Sequence, residues 1–299
     1  MMDRMSWRSK LINPVLDKEF RLRMRTFRSP LALMFYLLTI GLIALGFIYL
    51  NIGGFRGGPV GFNPNQSREM FYVLSVAQLV LIAFMTPGLT AGVVSGEREK
   101  QTLSILLTTQ QSSATIILSK LVSSLSFMLL VILATLPVYS IVFLFGGISP
   151  KQLVLVFLFY VFTMFVLGAF GVMFSTLVKR TMVSVIVTYG FTMFIFGATG
   201  LLFLFLQGLM RQIYQSSTAT YSWIGYVLGL NPVAALLSLF EPDISREAFR
   251  TWNNNSSVMN QAPPIELWQE FVAVYAVLAV AAVLISIRYI RPVLKKRRK

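Results

Sequence analysis

The stretch VVSGEREKQTLSILLTTQQSS, Val93–Ser113, decides how the rest of the chain is read. Glu97, Arg98, Glu99 and Lys100 stand in a row, in a chain of 299 residues with only 11 acidic ones. No further acid follows before Glu241. On both sides the sequence turns apolar. A helix that crosses the hydrocarbon of a bilayer needs roughly 20 mostly apolar residues. Six segments meet that requirement: Leu31–Leu50, Met70–Val94, Leu121–Phe145, Gln152–Val178, Val183–Leu206 and Phe271–Ile290. Within these bounds none contains an acidic residue. Arg288, the one charge, stands near the end of the last and can snorkel to the headgroups. The charged stretch is therefore a loop between the second and third spans.

Composition agrees with a polytopic membrane protein. Hydrophobic residues make up 56% of the chain and charged ones 12%, against about 25% charged in a soluble domain. With no cysteine there is no disulfide framework or thiol chemistry, and with no histidine the commonest metal ligand is missing. The net charge of +15 has a positional explanation. Twenty basic residues fall in the N-terminal tail, the two loops after spans two and four, and the C-terminal end. Six fall on the opposite side. The positive-inside rule puts both termini and the Glu97–Lys100 loop in the cytoplasm. The basic patches read as topology signals and lipid contacts, not as a nucleic-acid surface. The plasma membrane of a prokaryote is the expected location.

Three regions outside the spans carry information. Asn13–Arg28 is amphipathic, with Ile12, Leu16, Phe20, Met24 and Phe27 on one face and Lys18, Arg21, Arg25 and Arg28 largely elsewhere. It reads as an interfacial helix before the first span, an elbow that can also touch a cytoplasmic partner. Tyr221–Phe240 is apolar and of span length, but Asn231–Pro232 interrupts it. A full crossing would also carry the basic C-terminal end to the wrong side. Two short helices, re-entrant or interfacial, are expected there; Gly225 and Gly229 form a GxxxG pair. The loop itself predicts a short helix over Arg98–Thr109, with Leu103, Leu106 and Leu107 on one face, and a second helix capped by Ser112 or Ser113. Such a helix either lies on the membrane or docks into a groove of another protein.

The sequence also excludes mechanisms. It has no G-x-x-x-x-G-K-[ST] loop for ATP phosphates and no His/Cys/carboxylate cluster for a metal. No carboxylate falls within the expected spans to relay protons, which argues against a proton-coupled carrier or an intramembrane metalloprotease.

The order of elements resembles the permease subunit of an ABC exporter of the ABC-2 type, also called the type V exporter fold. The residues that carry the resemblance are the basic elbow segment, SGEREKQTLSILLTTQQSS after a long second span, the Ser119–Lys120 pair before the third, and LNPVAALLSLF between the fifth and sixth. Its most specific part is Glu97, Glu99, Thr102, Leu103, Leu106 and Leu107. Permeases of this class commonly have proline after the leucines, where this chain has Gln110–Gln111.

The resemblance implies an all-α membrane protein of one permease domain over residues 1–299. It comprises a tail and elbow helix (1–30), spans one to five with a cytoplasmic coupling loop at 96–120 (31–206), an extracellular region with dipping helices (207–267), and span six with a basic tail (268–299). It implies a transmembrane subunit of an ATP-driven exporter, and a path without an ionisable residue suits a hydrophobic or amphipathic substrate. That subunit is not itself an enzyme. Its partners are a separate ATPase that binds ATP and Mg, and a second permease chain, the same or different. An ATPase-coupled sensor or assembly factor without net transport is the alternative. Glu97, Arg98, Glu99, Thr102, Leu103, Leu106 and Leu107 would couple to the ATPase. The glutamates would pair with basic residues there or with Arg21 or Arg25 of the elbow, or cap the loop helix. In the elbow, Lys18, Phe20, Arg21 and Arg25 are the candidate contacts. Spans two and five would line the path, where Gln78, Thr86, Thr90, Thr188, Tyr189 and Thr192 either face substrate or hydrogen-bond between helices. Pro87 and Gly88 would absorb motion.

Overall fold

The computed structural model describes residues 28–52, 64–103, 112–144, 146–213, 223–249 and 263–290. The expected elbow contacts Lys18, Phe20, Arg21 and Arg25 lie outside these residues, as do Leu106 and Leu107. The described residues are mostly helical, without a strand. Six helices, counted through their breaks, are long and apolar enough to cross a membrane: Pro30–Leu50, Asn65–Glu99, Ser113–Leu144, Pro150–Leu177, Thr181–Met210 and Leu267–Tyr289. The chain is an all-α membrane protein with six candidate spans.

Span one is α1 (Arg28–Ile52) and span two is α2 (Pro64–Thr90), followed after a turn by the short α3 (Ser95–Glu99). Span three is α4 (Ser113–Ala134) and α5 (Leu136–Leu144). Span four is α6 (Pro150–Leu177). Span five is α7 (Thr181–Met193), a π turn (Phe194–Ala198) and α8 (Thr199–Ile213). Then come the short α9 (Gly225–Gly229), α10 (Pro232–Phe240) and α11 (Pro242–Ala248), and span six, α12 (Leu267–Tyr289).

The chain divides into two compact units. The first takes in Met1–Gly147, Met164–Tyr189 and Ala279–Lys299. Its core is built by Leu74, Leu79 and Ile82 of α2, with Ile116, Ile117, Leu121 and Met128 of α4, all buried. Phe71 meets Tyr139 edge-on at 5.7 Å, and Ser67 Oγ donates to the Val142 carbonyl at 2.9 Å. The break in span three follows from Pro137, which has no N–H to offer the Leu133 carbonyl. Thr135 occupies the break, donating its hydroxyl to the Ile132 carbonyl at 2.6 Å and to Gln78 Oε1 at 3.2 Å. Spans two and four meet where Gly171 leaves room for Thr90: a Cβ on Gly171 would sit 2.0 Å from Thr90 Oγ1.

The second unit takes in Ile148–Thr163 and Gly190–Leu278. Phe271 packs on Phe159 at 5.3 Å and on Tyr275 at 4.5 Å between ring centroids. Between spans five and six, Ala234, Ala248, Phe249 and Leu267 form an apolar cluster. The expected break at Asn231–Pro232 is present. Asn231 caps α10, its Oδ1 accepting from the N–H groups of Val233 and Ala234, and Pro232 takes the first helical turn, where a missing N–H costs nothing. Of the GxxxG pair, Gly225 lies against the Phe249 ring and Gly229 against the Glu270 carboxylate.

Two expectations need correction. The helices of the structure begin earlier than the expected spans, so that α2 takes in Glu69 and α12 takes in Glu270. Span six starts at Leu267 because its first free N–H groups have buried partners: Leu267 N–H donates to Ser245 Oγ at 3.3 Å and Trp268 N–H to Ser238 Oγ at 3.1 Å. The single helix expected over Arg98–Thr109 is also not what forms. Arg98 and Glu99 end α3, and Gln101 takes a left-handed conformation at φ 57°. Thr102 and Leu103 are helical again beyond that break. The leucine spacing that suggested one helix starts only after the break.

Candidate coupling site

The loop after span two is built into the first unit from the backbone outward. The α2 ladder resumes past Pro87, with Ala91 N–H donating to the Pro87 carbonyl at 2.8 Å. At the same point Tyr189 donates its hydroxyl to the Phe84 carbonyl at 2.8 Å. Ser184 Oγ then caps the turn, donating to the Ala91 carbonyl at 2.7 Å. On entry to α3, the N–H groups of Val94 and Ser95 both donate to Ser175 Oγ, at 2.9 and 3.0 Å. Ser95 and Ser175 are fully buried. Two helix-start donors are thus satisfied by one hydroxyl on span four.

The charges of α3 then divide among three further elements. Glu97 forms an ion pair with Lys120 in the second turn of α4. The Lys120 side chain is 3% exposed and that of Glu97 29%. Arg98 donates to the Thr176 carbonyl at 3.0 Å and the Val178 carbonyl at 3.5 Å, at the end of α6. A cation on those last carbonyls complements the negative end of the helix. Glu99 accepts from the Thr181 N–H and hydroxyl, both at 2.8 Å, at the start of α7. A carboxylate there serves the positive end. Consecutive residues therefore grip the start of span three, the end of span four and the start of span five. Lys100 stays exposed.

This arrangement changes the reading of several expected residues. Glu97 and Glu99 have partners within their own unit, while the expected elbow partners Arg21 and Arg25 lie outside the described residues. Thr102 is exposed, its hydroxyl donating to the Glu97 carbonyl at 3.2 Å. Leu103, expected on a docking face, is buried. Ser112 makes the expected cap on α4, accepting from the Thr115 N–H at 3.1 Å. Lys120, Ser175 and Thr181 were not expected as site residues. Lys120 was counted as a topology signal and as half of the Ser119–Lys120 pair, and no spacing rule links it to Glu97.

Four of the expected path residues make side-chain hydrogen bonds, Gln78 and Tyr189 between helices and Thr90 and Thr188 within their own. Gln78 accepts from Thr135. Thr90 donates to the Thr86 carbonyl at 2.9 Å and Thr188 to the Ser184 carbonyl at 2.7 Å. Tyr189 holds the Phe84 carbonyl beside Gly88, where a Cβ would come within 2.9 Å of the tyrosine hydroxyl. Gln78, Thr86, Thr90, Thr188 and Thr192 are buried.

A family model described as ABC-2 family transporter protein matches residues 58–287. No curated protein matches the chain.

Proposed function

The chain belongs to the ABC-2 transporter family, and from that premise we propose that it is the permease of an ATP-driven exporter that moves a hydrophobic or amphipathic substrate. Proteins of this family are membrane components of transporters and are not themselves catalytic. In this reading a separate ATPase binds ATP and Mg and docks at the loop after span two. A second permease chain, the same or different, completes the transporter. Both termini lie on the ATPase side, in the cytoplasm of a prokaryote.

The observation that carries the reading is the division of Glu97, Arg98 and Glu99 among spans three, four and five. A partner that moves this loop pulls on three spans at once, besides the second span to which α3 is joined. Single surface ion pairs transmit little, about 0–1 kcal/mol each. The pair here involves a lysine almost wholly removed from water, and the other two contacts are charge-assisted bonds to helix ends. The loop is thereby a stiff lever, not a solvated turn. The absence of an acid from most of the length of the spans suits a lipid-like cargo.

Reconstitution in vesicles with its ATPase tests the reading. ATP should drive movement of a fluorescent amphipathic lipid across the bilayer, and omission of ATP should abolish it. Hydrolysis without movement of any lipid probe would instead favour an ATPase-coupled sensor or assembly factor.

A further inference from the structure

Span five contains a π turn, Phe194–Ala198, in which the Thr199 N–H reaches back five residues to the Phe194 carbonyl. Turns of this kind are rare and occur mostly as single interruptions of α-helices, frequently at functional sites. The sequence FIFGA has no proline to force one. A buried side chain from elsewhere in the second unit stands at the turn instead. Asn231, 5% exposed, donates through Nδ2 to the Phe196 carbonyl at 2.9 Å and to Thr199 Oγ1 at 3.0 Å. Thr199 Oγ1 in turn donates to the Ile195 carbonyl. The other end of the same amide, Oδ1, accepts from Val233 and Ala234 to cap α10. Two donors at one end and two acceptors at the other fix which atom is nitrogen. Gly200 faces this amide, and a Cβ there would lie 3.2 Å from Nδ2. The next carbonyl along, that of Leu230, accepts from the Tyr275 hydroxyl of span six at 3.0 Å.

We propose that Asn231 is a positioning residue that holds span five in its π register, and that release of its amide lets Phe194–Ala198 relax to α-helix. Closing the turn removes one residue of excess. Thr199–Ile213 then rotates by about 100° relative to Met193, the angle of one residue in a 3.6-residue turn. Phe203, 8% exposed, is the one buried position within 201–206, while Leu202, Leu204 and Phe205 are exposed at 47%, 62% and 63%. The rotation passes the buried position one residue along. What the rotation serves, a change in the face that span five offers to cargo, rests on the exporter reading; the register itself does not.

The chain has no cysteine, so single spin labels can be placed without background substitutions. Labels at positions 201–206 of the full chain in lipid bilayers would report oxygen accessibility by electron paramagnetic resonance. The wild-type background should show its minimum at 203. Asn231→Ser keeps a capping oxygen but is too short to reach Phe196, and should move the minimum by one residue. Gly200→Ala presses on Nδ2 without touching the cap, and should move it the same way. A minimum that stays at 203 in both backgrounds overturns the proposal. So does a flattened profile, which would mean lost packing and not a changed register. Adding the ATPase with a trapped nucleotide separates the two claims. A shift in the variants but none on nucleotide trapping upholds the register and counts against the exporter reading.

Discussion

Lys120→Met is expected to lower the stability of the folded chain by about 3 kcal/mol, the low end of the range for removing one partner of a buried ion pair. Methionine keeps much of the lysine stem but none of its charge. Glu97 is then left with no cation beside it. Its Oε2 is already buried without a hydrogen-bond partner among the described residues. Its 29% exposure is what holds the cost to the low end. Glu97→Gln alone removes the carboxylate charge from beside the more deeply buried lysine and should also lower stability. The double variant, Glu97→Gln with Lys120→Met, removes both charges and should recover most of the loss. Thermal unfolding of the purified chain in detergent gives the cycle. If Lys120→Met unfolds with the wild type, and the double variant shows no coupling, the pair does not hold the loop.

Gly171→Ala should be the most damaging small substitution in the first unit. Its Cβ would lie 2.0 Å from Thr90 Oγ1 and 2.9 Å from Thr90 Cβ. Threonine is stiff about χ1, and this hydroxyl is engaged with the Thr86 carbonyl. The side chain cannot simply turn away, so spans two and four must separate. Overpacking of this kind costs about 1–3 kcal/mol and sometimes more. Combining Gly171→Ala with Thr90→Gly moves the missing carbon to the other helix and should recover part of the loss. Gly41→Ala is the comparison. Nothing lies within 4 Å of a Cβ there, and alanine favours the helix by about 1 kcal/mol over glycine. Equal melting temperatures for the Gly171 and Gly41 variants would contradict the close approach.

The spans were legible because length and apolarity alone determine them. Asn231–Pro232 was legible because each residue punctuates for a local reason: the asparagine side chain caps, and the proline lacks an N–H. The loop was legible only as a place. Its bonds join Glu97 to Lys120 across 23 positions, Arg98 to Thr176 across 78 and Glu99 to Thr181 across 82. No periodicity links such positions. The left-handed Gln101 carries none of the usual signals, since glycine or asparagine is the common residue there. Pro242–Ala248 was too short for a helical period to show. The π turn has no compositional mark, because its partner Asn231 lies 35 positions from Phe196. Glu270 fell outside the expected span, which began at Phe271, because the contacts that start the helix at Leu267 come from far along the chain. The serines that cap that helix start belong to α10 and α11.

The most direct measurement of the central claim is photo-cross-linking from Lys100. This residue is exposed at the end of α3 and takes no part in the bonds of Glu97, Arg98 and Glu99. A photoreactive residue at position 100 of the membrane-embedded chain, with adducts identified by mass spectrometry, should capture an ABC-type ATPase subunit. The same probe at Asp243, exposed between spans five and six, should not. An ATPase that co-purifies with the chain but cross-links from position 243 and not from position 100 would contradict the account.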